Sequence, residues 1–118
     1  CFSEVAGYSK FGSYTGNGSS NGTFVFTGFR PAFVLIKGTS DGTAFWTIID
    51  NKRNTFNPLD KWLYPNNNQA EYDASSYPVD FLSNGFKVRS NASYTNTSSG
   101  TYIYLAFAES PFKNARAR

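Results

Sequence analysis

Short apolar runs alternate with polar turns along the whole chain. The strongest alternation lies near the end, in Gly100–Glu109. There Tyr102, Tyr104, Ala106 and Ala108 fall on one face, and Ile103, Leu105 and Phe107 on the other. Both faces are apolar, which predicts a central closing strand covered by a second sheet on one side and by sheet or a neighbouring subunit on the other. Gly7–Thr15 predicts a strand whose large residues, Tyr8, Phe11 and Tyr14, are three apart, so Gly12 marks a bulge or a close approach. Thr23–Thr27 predicts a strand with Phe24 and Phe26 facing one way and Val25 the other. Ala32–Ile36 is a continuous apolar run, expected to be buried on both faces. The turn signal Ser40-Asp41-Gly42 leads into a partner strand over Ala44–Ile49, so the first half reads as about four strands in meander-like succession.

Asn51–Tyr77 breaks the pattern. It is rich in Asn and Pro, carries the isolated aromatics Phe56, Trp62, Tyr64, Tyr72 and Tyr77, and offers one short strand at Lys61–Tyr64. Val79–Leu82, Ser83-Asn84-Gly85 and Phe86–Arg89 form the clearest hairpin signal. The sum is about seven to nine short strands with turns at roughly ten-residue spacing. That is the pattern of an all-β fold, a two-sheet antiparallel β-sandwich or jelly roll. Phe24, Phe26, Phe33, Phe45, Trp46, Phe81 and Phe107 are its expected core aromatics.

Composition narrows the picture. With 118 residues the chain makes one domain, and 12 Phe, 8 Tyr and no Met fit β structure better than helix. The net charge is +3 and the basic residues are scattered, clustering only at Lys113, Arg116 and Arg118, which reads as a solvated end and not a nucleic-acid site. No run of apolar residues is long enough to span a membrane. A single Cys excludes an internal disulfide.

The chain has no His, which removes Ser-His-Asp and Cys-His catalysis and most zinc sites. The eight carboxylates include Asp60, Glu71 and Asp73 in the irregular segment, yet no spacing fixes a glycosidase pair. Asp41, Asp50, Asp73 and Asp80 lack the dense acidic spacing of a calcium loop. No catalytic residue, cofactor or metal is expected. Trp62, Tyr64, Tyr72 and Tyr77, with Asn66, are the candidate residues for stacking and hydrogen bonding to a cell-surface glycan; the alternative is that these aromatics cap the open end of the sandwich. Four glycosylation sequons begin at Asn17, Asn21, Asn91 and Asn96, two in each of two loops expected at the surface.

The chain also contains an echo. Its opening, Cys1-Phe2-Ser3-Glu4-Val5, matches Ala106-Phe107-Ala108-Glu109-Ser110 as small, Phe, small, Glu. This makes residues 1–10 a connecting strand, either the closing strand of a preceding repeat or a strand donated to a neighbour, and residues 11–118 the sandwich. Cys1, Phe2 and Val5 are then the assembly residues.

The runs Ser9–Ser20, Gly28–Lys37, Asp80–Lys87 and Gly100–Tyr104 with Ala106–Glu109 resemble a repeat module of uncharacterised function from tailed-phage genomes and prophage-like regions. Such modules stand, often in tandem, at the C-terminal end of large fibre-like or virion-associated proteins, and vary where this chain has Asn51–Tyr77. The resemblance implies a non-enzymatic structural and adhesive module of an extracellular filament or virion surface. Its partners would be copies of itself or adjacent repeats, joined head to tail by strand addition, with glycan binding through the variable segment. A pilus-like polymer of identical subunits and a carbohydrate-binding domain are the alternatives. The position of residues 1–10 discriminates between a separate bead and a polymer.

Overall fold

The closing strand holds the architecture together. In a computed structural model describing residues 3–40, 46–52, 61–65, 68, 70, 72–73, 79–91 and 94–108, nine strands form two antiparallel sheets. They are β1 (Ser9–Thr15), β2 (Phe24–Phe26), β3 (Pro31–Gly38), β4 (Thr47–Asp50), β5 (Lys61–Leu63), β6 (Tyr72–Asp73), β7 (Val79–Leu82), β8 (Gly85–Val88) and β9 (Thr101–Ala108). The large sheet runs β1-β9-β3-β4-β5-β6 and the small one β2-β8-β7. The fold is all-β, consistent with a sandwich. Among the described residues no helix is long and apolar enough to cross a membrane.

The expected meander of the first four strands does not form. β9, the last of the described strands in sequence, inserts between β1 and β3, and β2 crosses to the small sheet. The physical reason is the two-faced apolar character of β9, which gains most where sheet lies on both its edges. Its neighbours register cleanly, Phe11 opposite Leu105 and Leu35 opposite the same residue from the other side. The β1–β9 register runs unbroken through Gly12, so the expected bulge is absent; the Tyr104 ring lies over that glycine instead. The irregularity sits at Pro31–Phe33 in β3, where proline cannot donate to the ladder.

The core forms between the sheets. From the large sheet come Tyr14, Val34, Ile36, Ile49, Trp62, Tyr64, Tyr102, Tyr104 and Ala106, and from the small one Val25, Val79, Phe81, Phe86 and Val88. An aromatic cluster joins them. Tyr14 stacks on Tyr102 with centroids 5.2 Å apart and meets the edge of Phe86 at 6.1 Å, and Phe86 meets Tyr104 at 5.5 Å. Offset and edge-on contacts of this kind suit the ring quadrupoles. The phenols are satisfied at their tips: Tyr14 donates to the Thr95 carbonyl at 2.7 Å, and Tyr102 accepts from the Thr97 amide at 2.8 Å.

Several expected core residues lie elsewhere. Phe24 and Phe26 are 42% and 63% exposed, and Val25 between them is buried. Alternation divided β2 into two faces correctly, but pairing Val25 with Phe86 turns the valine inward. Trp46 is also exposed, just ahead of β4. Phe33 and Phe107 are half-buried on the outside of the large sheet. Likewise Ala32–Ile36 is not buried throughout, for Val34 and Ile36 face inward while Phe33 and Leu35 face out. Phe45 and the turn at Asp41-Gly42 lie outside the described residues.

The polar loops close one end of the sandwich, and they do so through a buried residue. Asn96 has no exposed surface. Its side-chain amide donates toward Ser90 O at 2.7 Å, Ser19 O at 2.8 Å and Asn17 Oδ1 at 2.9 Å, and its Oδ1 accepts from the Asn17 amide at 2.9 Å. One side chain therefore ties the loop after β1 to the segments on either side of Tyr94. Such a fully bonded polar group fixes geometry, and its removal leaves its partners unpaired in a dry site.

Two outcomes follow from these contacts. Asn96→Ala should lower the unfolding free energy by about 2 kcal/mol, read from urea unfolding, because it orphans the buried Ser90 carbonyl and gives up the part-buried bonds to Asn17 and Ser19. The second concerns alkali. Burial raises the pKa of Tyr14 well above its ordinary 10.0 and that of Tyr104 above the same value, so the folded chain holds both protons more tightly than the unfolded one. Their contribution is complete below pH 10 and drains away as pH rises through the folded-state values. The melting temperature should fall across that range together with tyrosinate absorbance. Tyr14→Phe should flatten the fall, while costing about 1–2 kcal/mol at neutral pH through the lost bond to Thr95.

Candidate functional site

The residues expected to carry chemistry do not converge. Trp62 is fully buried and Tyr64 nearly so, both in the core, with Tyr64 against Tyr94 at 6.1 Å. A buried indole offers no ring face to a sugar, so these two serve packing. Tyr72 contributes backbone to β6, where it pairs with Trp62. Asn66 and Tyr77 lie outside the described residues.

The sequons divide in the same way. Asn17, Asn21 and Asn91 are exposed, whereas Asn96 is the buried hub described above. Its nitrogen already faces three oxygens and has no path to a glycan, so Asn96 is corrected from acceptor to structural residue.

No group of three or more His, Cys, Asp or Glu gathers among the described residues. Three of the described carboxylates are engaged. Glu4 pairs with Lys10 at 3.0 Å, Asp80 with Arg89 at 2.9 Å, and Asp50 accepts from the Lys52 amide at 3.0 Å. Hydrogen bonding to Glu4, and its negative charge, raise the Lys10 pKa. The Lys10–Glu4 pair is largely in solvent and contributes little to stability, whereas Arg89 reaches from solvent over a mostly buried Asp80.

Two features of the large sheet are left, an edge and a face. β1 forms the edge. Ala108 N donates to Tyr8 O and Gly16 N to Gly100 O, both at 2.8 Å. With the β1–β9 register, these two bonds set which groups point at β9: those of Lys10, Gly12 and Tyr14. The N–H and C=O of Ser13 therefore point away from β9, toward the outer side of the edge.

The N-terminal segment meets this edge. Val5 O accepts from Tyr8 N at 3.0 Å and from Ser9 N at 2.9 Å, and Gly7 has φ +75°, the pattern of a type II turn. The chain thus reverses at Val5–Tyr8, and Val5 bridges antiparallel to Ser9. Ser9 Oγ seals the reversal, accepting from Val5 N at 3.0 Å and donating to Ser3 O at 3.2 Å. Ser9 and Lys10 belong to β1 and pair with the chain's own β9. Val5 is 38% exposed, and Cys1 and Phe2 lie outside the described residues.

The outward face carries the other half of β9. Ile103 is 42% exposed, and Leu105 and Phe107 are half-buried. Phe107 gathers Tyr8, Phe11 and Phe33 around it, with centroids 5.9–6.3 Å away. Register then continues the apolar surface sideways, through Phe11, Leu105, Leu35, Ile48 and Leu63 on five adjacent strands. A cavity of about 270 Å³ opens on this side, lined by Leu35, Trp46, Ile103, Tyr104 and Leu105. Period-two reading of β9 identified the face. The open edge was not readable, because it depends on which strand takes the outermost place.

This arrangement can bind backbone along β1 and apolar side chains across the sheet; it brings together no nucleophile, base or metal-ligand set among the described residues. No curated protein and no solved structure matches the chain. A family model does match, over residues 1–111. The chain belongs to that family, described as Domain of unknown function (DUF7483).

Proposed function

We propose that this chain is a non-enzymatic structural module of a fibre or virion surface protein, assembling head to tail by strand addition at the β1 edge. The observation that carries this reading is the edge position of β1, with the backbone groups of Ser13 turned away from β9, beside which the N-terminal segment turns back at Val5–Ser9. An added strand satisfies those groups by main-chain hydrogen bonds and needs no particular sequence, which suits repetition. The Val5–Ser9 contact made within one chain is exchangeable for the same contact from a neighbour, the relation that underlies swapping of identical elements. The echo between Cys1–Val5 and Ala106–Ser110 and the likeness to tandem phage modules support the same reading. Its place would be an extracellular filament or a virion surface. A pilus-like polymer would use the same edge. Glycan adhesion would have to use residues other than Trp62 and Tyr64, which are core residues.

Sedimentation across a concentration series, with electron microscopy of the concentrated sample, tests the edge. The wild-type chain should form linear assemblies that lengthen with concentration. Ser13→Pro removes an outward donor while leaving the bonds to β9, as edge positions tolerate. It should melt within a few degrees of wild type and associate at least about tenfold more weakly. Assembly unaffected by Ser13→Pro in a folded protein would overturn strand addition.

A further inference from the structure

Asparagine followed by glycine is able to modify itself, because glycine has no side chain to keep its backbone nitrogen away from the asparagine amide. The sequence has three such steps, Asn17-Gly18, Asn21-Gly22 and Asn84-Gly85. As dipeptides they are equivalent. The fold separates them.

Asn17-Gly18 is held at both reacting ends. Asn17 Oδ1 accepts from Ser19 N at 3.0 Å and from Asn96 Nδ2 at 2.9 Å, and Asn17 Nδ2 donates to Asn21 O at 3.0 Å. The Gly18 nitrogen donates to Asn96 O at 3.1 Å. At Asn84-Gly85 the asparagine is exposed, but the peptide is fixed. Asn84 O accepts from Thr27 N at 3.0 Å and from Gly28 N at 3.2 Å. Gly85 lies in β8, the middle strand of the small sheet, so close to the Val25 carbonyl that no side chain would fit there.

Asn21-Gly22 is different. It lies outside any strand, ahead of β2, and Asn21 is exposed. Asn21 bonds through its backbone: N donates to Ser19 Oγ at 3.1 Å, and O accepts the single exposed bond from Asn17. Among the described residues, neither the Asn21 side-chain amide nor the Gly22 nitrogen makes a hydrogen bond. Electrophile and nucleophile are both left unengaged at this step alone of the three.

We propose that Asn21 is a self-modification site, converted to isoaspartate with Gly22 as the internal nucleophile. The Gly22 nitrogen gives its proton to hydroxide and attacks Cγ of Asn21. The new N–C bond forms, the Cγ–Nδ2 bond breaks, and Nδ2 takes a proton from water and leaves as ammonia. Water then opens the cyclic imide at one of its two carbonyls, giving aspartate or isoaspartate. No oxidant and no cofactor enters. The product lowers the net charge of +3 by one, and isoaspartate also adds a carbon to the backbone between residues 21 and 22. Both changes fall where Asn21 O holds Asn17, whose other bonds go to buried Asn96. The modification therefore acts on the closure of the loop end and leaves the β1 edge alone.

Mass spectrometry of the folded chain, kept warm in mildly alkaline buffer, tests this. Trypsin cuts after Lys10 and Lys37 but not before Pro31, so both loop asparagines leave on one peptide and fragmentation places the change. Labelling with an isoaspartyl methyltransferase identifies the isomer. In the folded chain Asn21 should convert at least about tenfold faster than Asn17 or Asn84, where hydrogen bonds must first be given up. In guanidinium, with the fold removed, the three rates should come within about threefold of one another. A folded chain in which Asn21 stays intact, or in which Asn17 or Asn84 keeps pace with it, overturns the proposal. So does a spread of rates in guanidinium as wide as in the folded chain, since the order would then owe nothing to the structure.

Discussion

Everything in this molecule depends on β9 being apolar on both faces and paired on both edges. Its inward residues, Tyr102, Tyr104 and Ala106, meet Tyr14 beside them and Phe86 across the sandwich. Its outward residues, Ile103, Leu105 and Phe107, meet Phe11 and Phe33 along the sheet. Both of its edges are paired, to β1 on one side and β3 on the other. The strand gains most from a central place, and taking that place separates β1 from β3. The displaced β1 becomes the edge, so the outward backbone of Ser13 results from what β9 needs.

Much of this was legible because period two is a strong signal where turns are sharp. Val79–Leu82 and Gly85–Val88 pair through Ser83-Asn84 as their sequence indicates, and β9 spans Thr101–Ala108 within the predicted run. What alternation does not contain is a sign. In Phe24-Val25-Phe26 all three residues are apolar, and the choice of inward face was made by the partner strand, where Phe86 fixes Val25 opposite it. Strand order was hidden for a related reason: local sequence marks strands but not which distant one arrives between them. Asn96 illustrates a third limit. An asparagine in a Ser- and Thr-rich loop looks solvated, and only the convergence of Asn17, Ser19 and Ser90 reveals that its hydrogen bonds are internal. Trp62 is the reverse case, an aromatic among polar neighbours that sits in the core because β5 pairs it with Ile49.

The two ends of the design are managed differently. At the loop end, Asn96 takes up polar groups internally, while Asn17, Ser19, Ser20, Asn21, Asn91 and Thr97 to Ser99 stay in solvent. Along β1 and over the outer face, apolar side chains and backbone groups are left toward the outside, with Lys10 and Glu4 as the charges near the start of the edge. A protein that must remain solitary usually blunts such an edge with charge, proline or a bulge. Among the described residues, β1 has the Lys10–Glu4 charges and the Val5 turn at one end of the strand.

The position of β9 also governs when the sheet can form. Ser9 lies opposite Phe107, 98 positions later, and Phe33 opposite the same residue. Contacts so distant in sequence close slowly, because the intervening chain must be ordered before they return anything. During synthesis β1 and β3 emerge first, with their apolar side chains and no strand to lie between them, and the large sheet waits until the chain has been made through Ala108. A chain interrupted before Thr101 would keep the β7–β8 hairpin yet leave β1 without a partner. The strand on which the large sheet waits is thus β9, and a copy in which it has not yet docked exposes the apolar surfaces and strand edges that lead to aggregation.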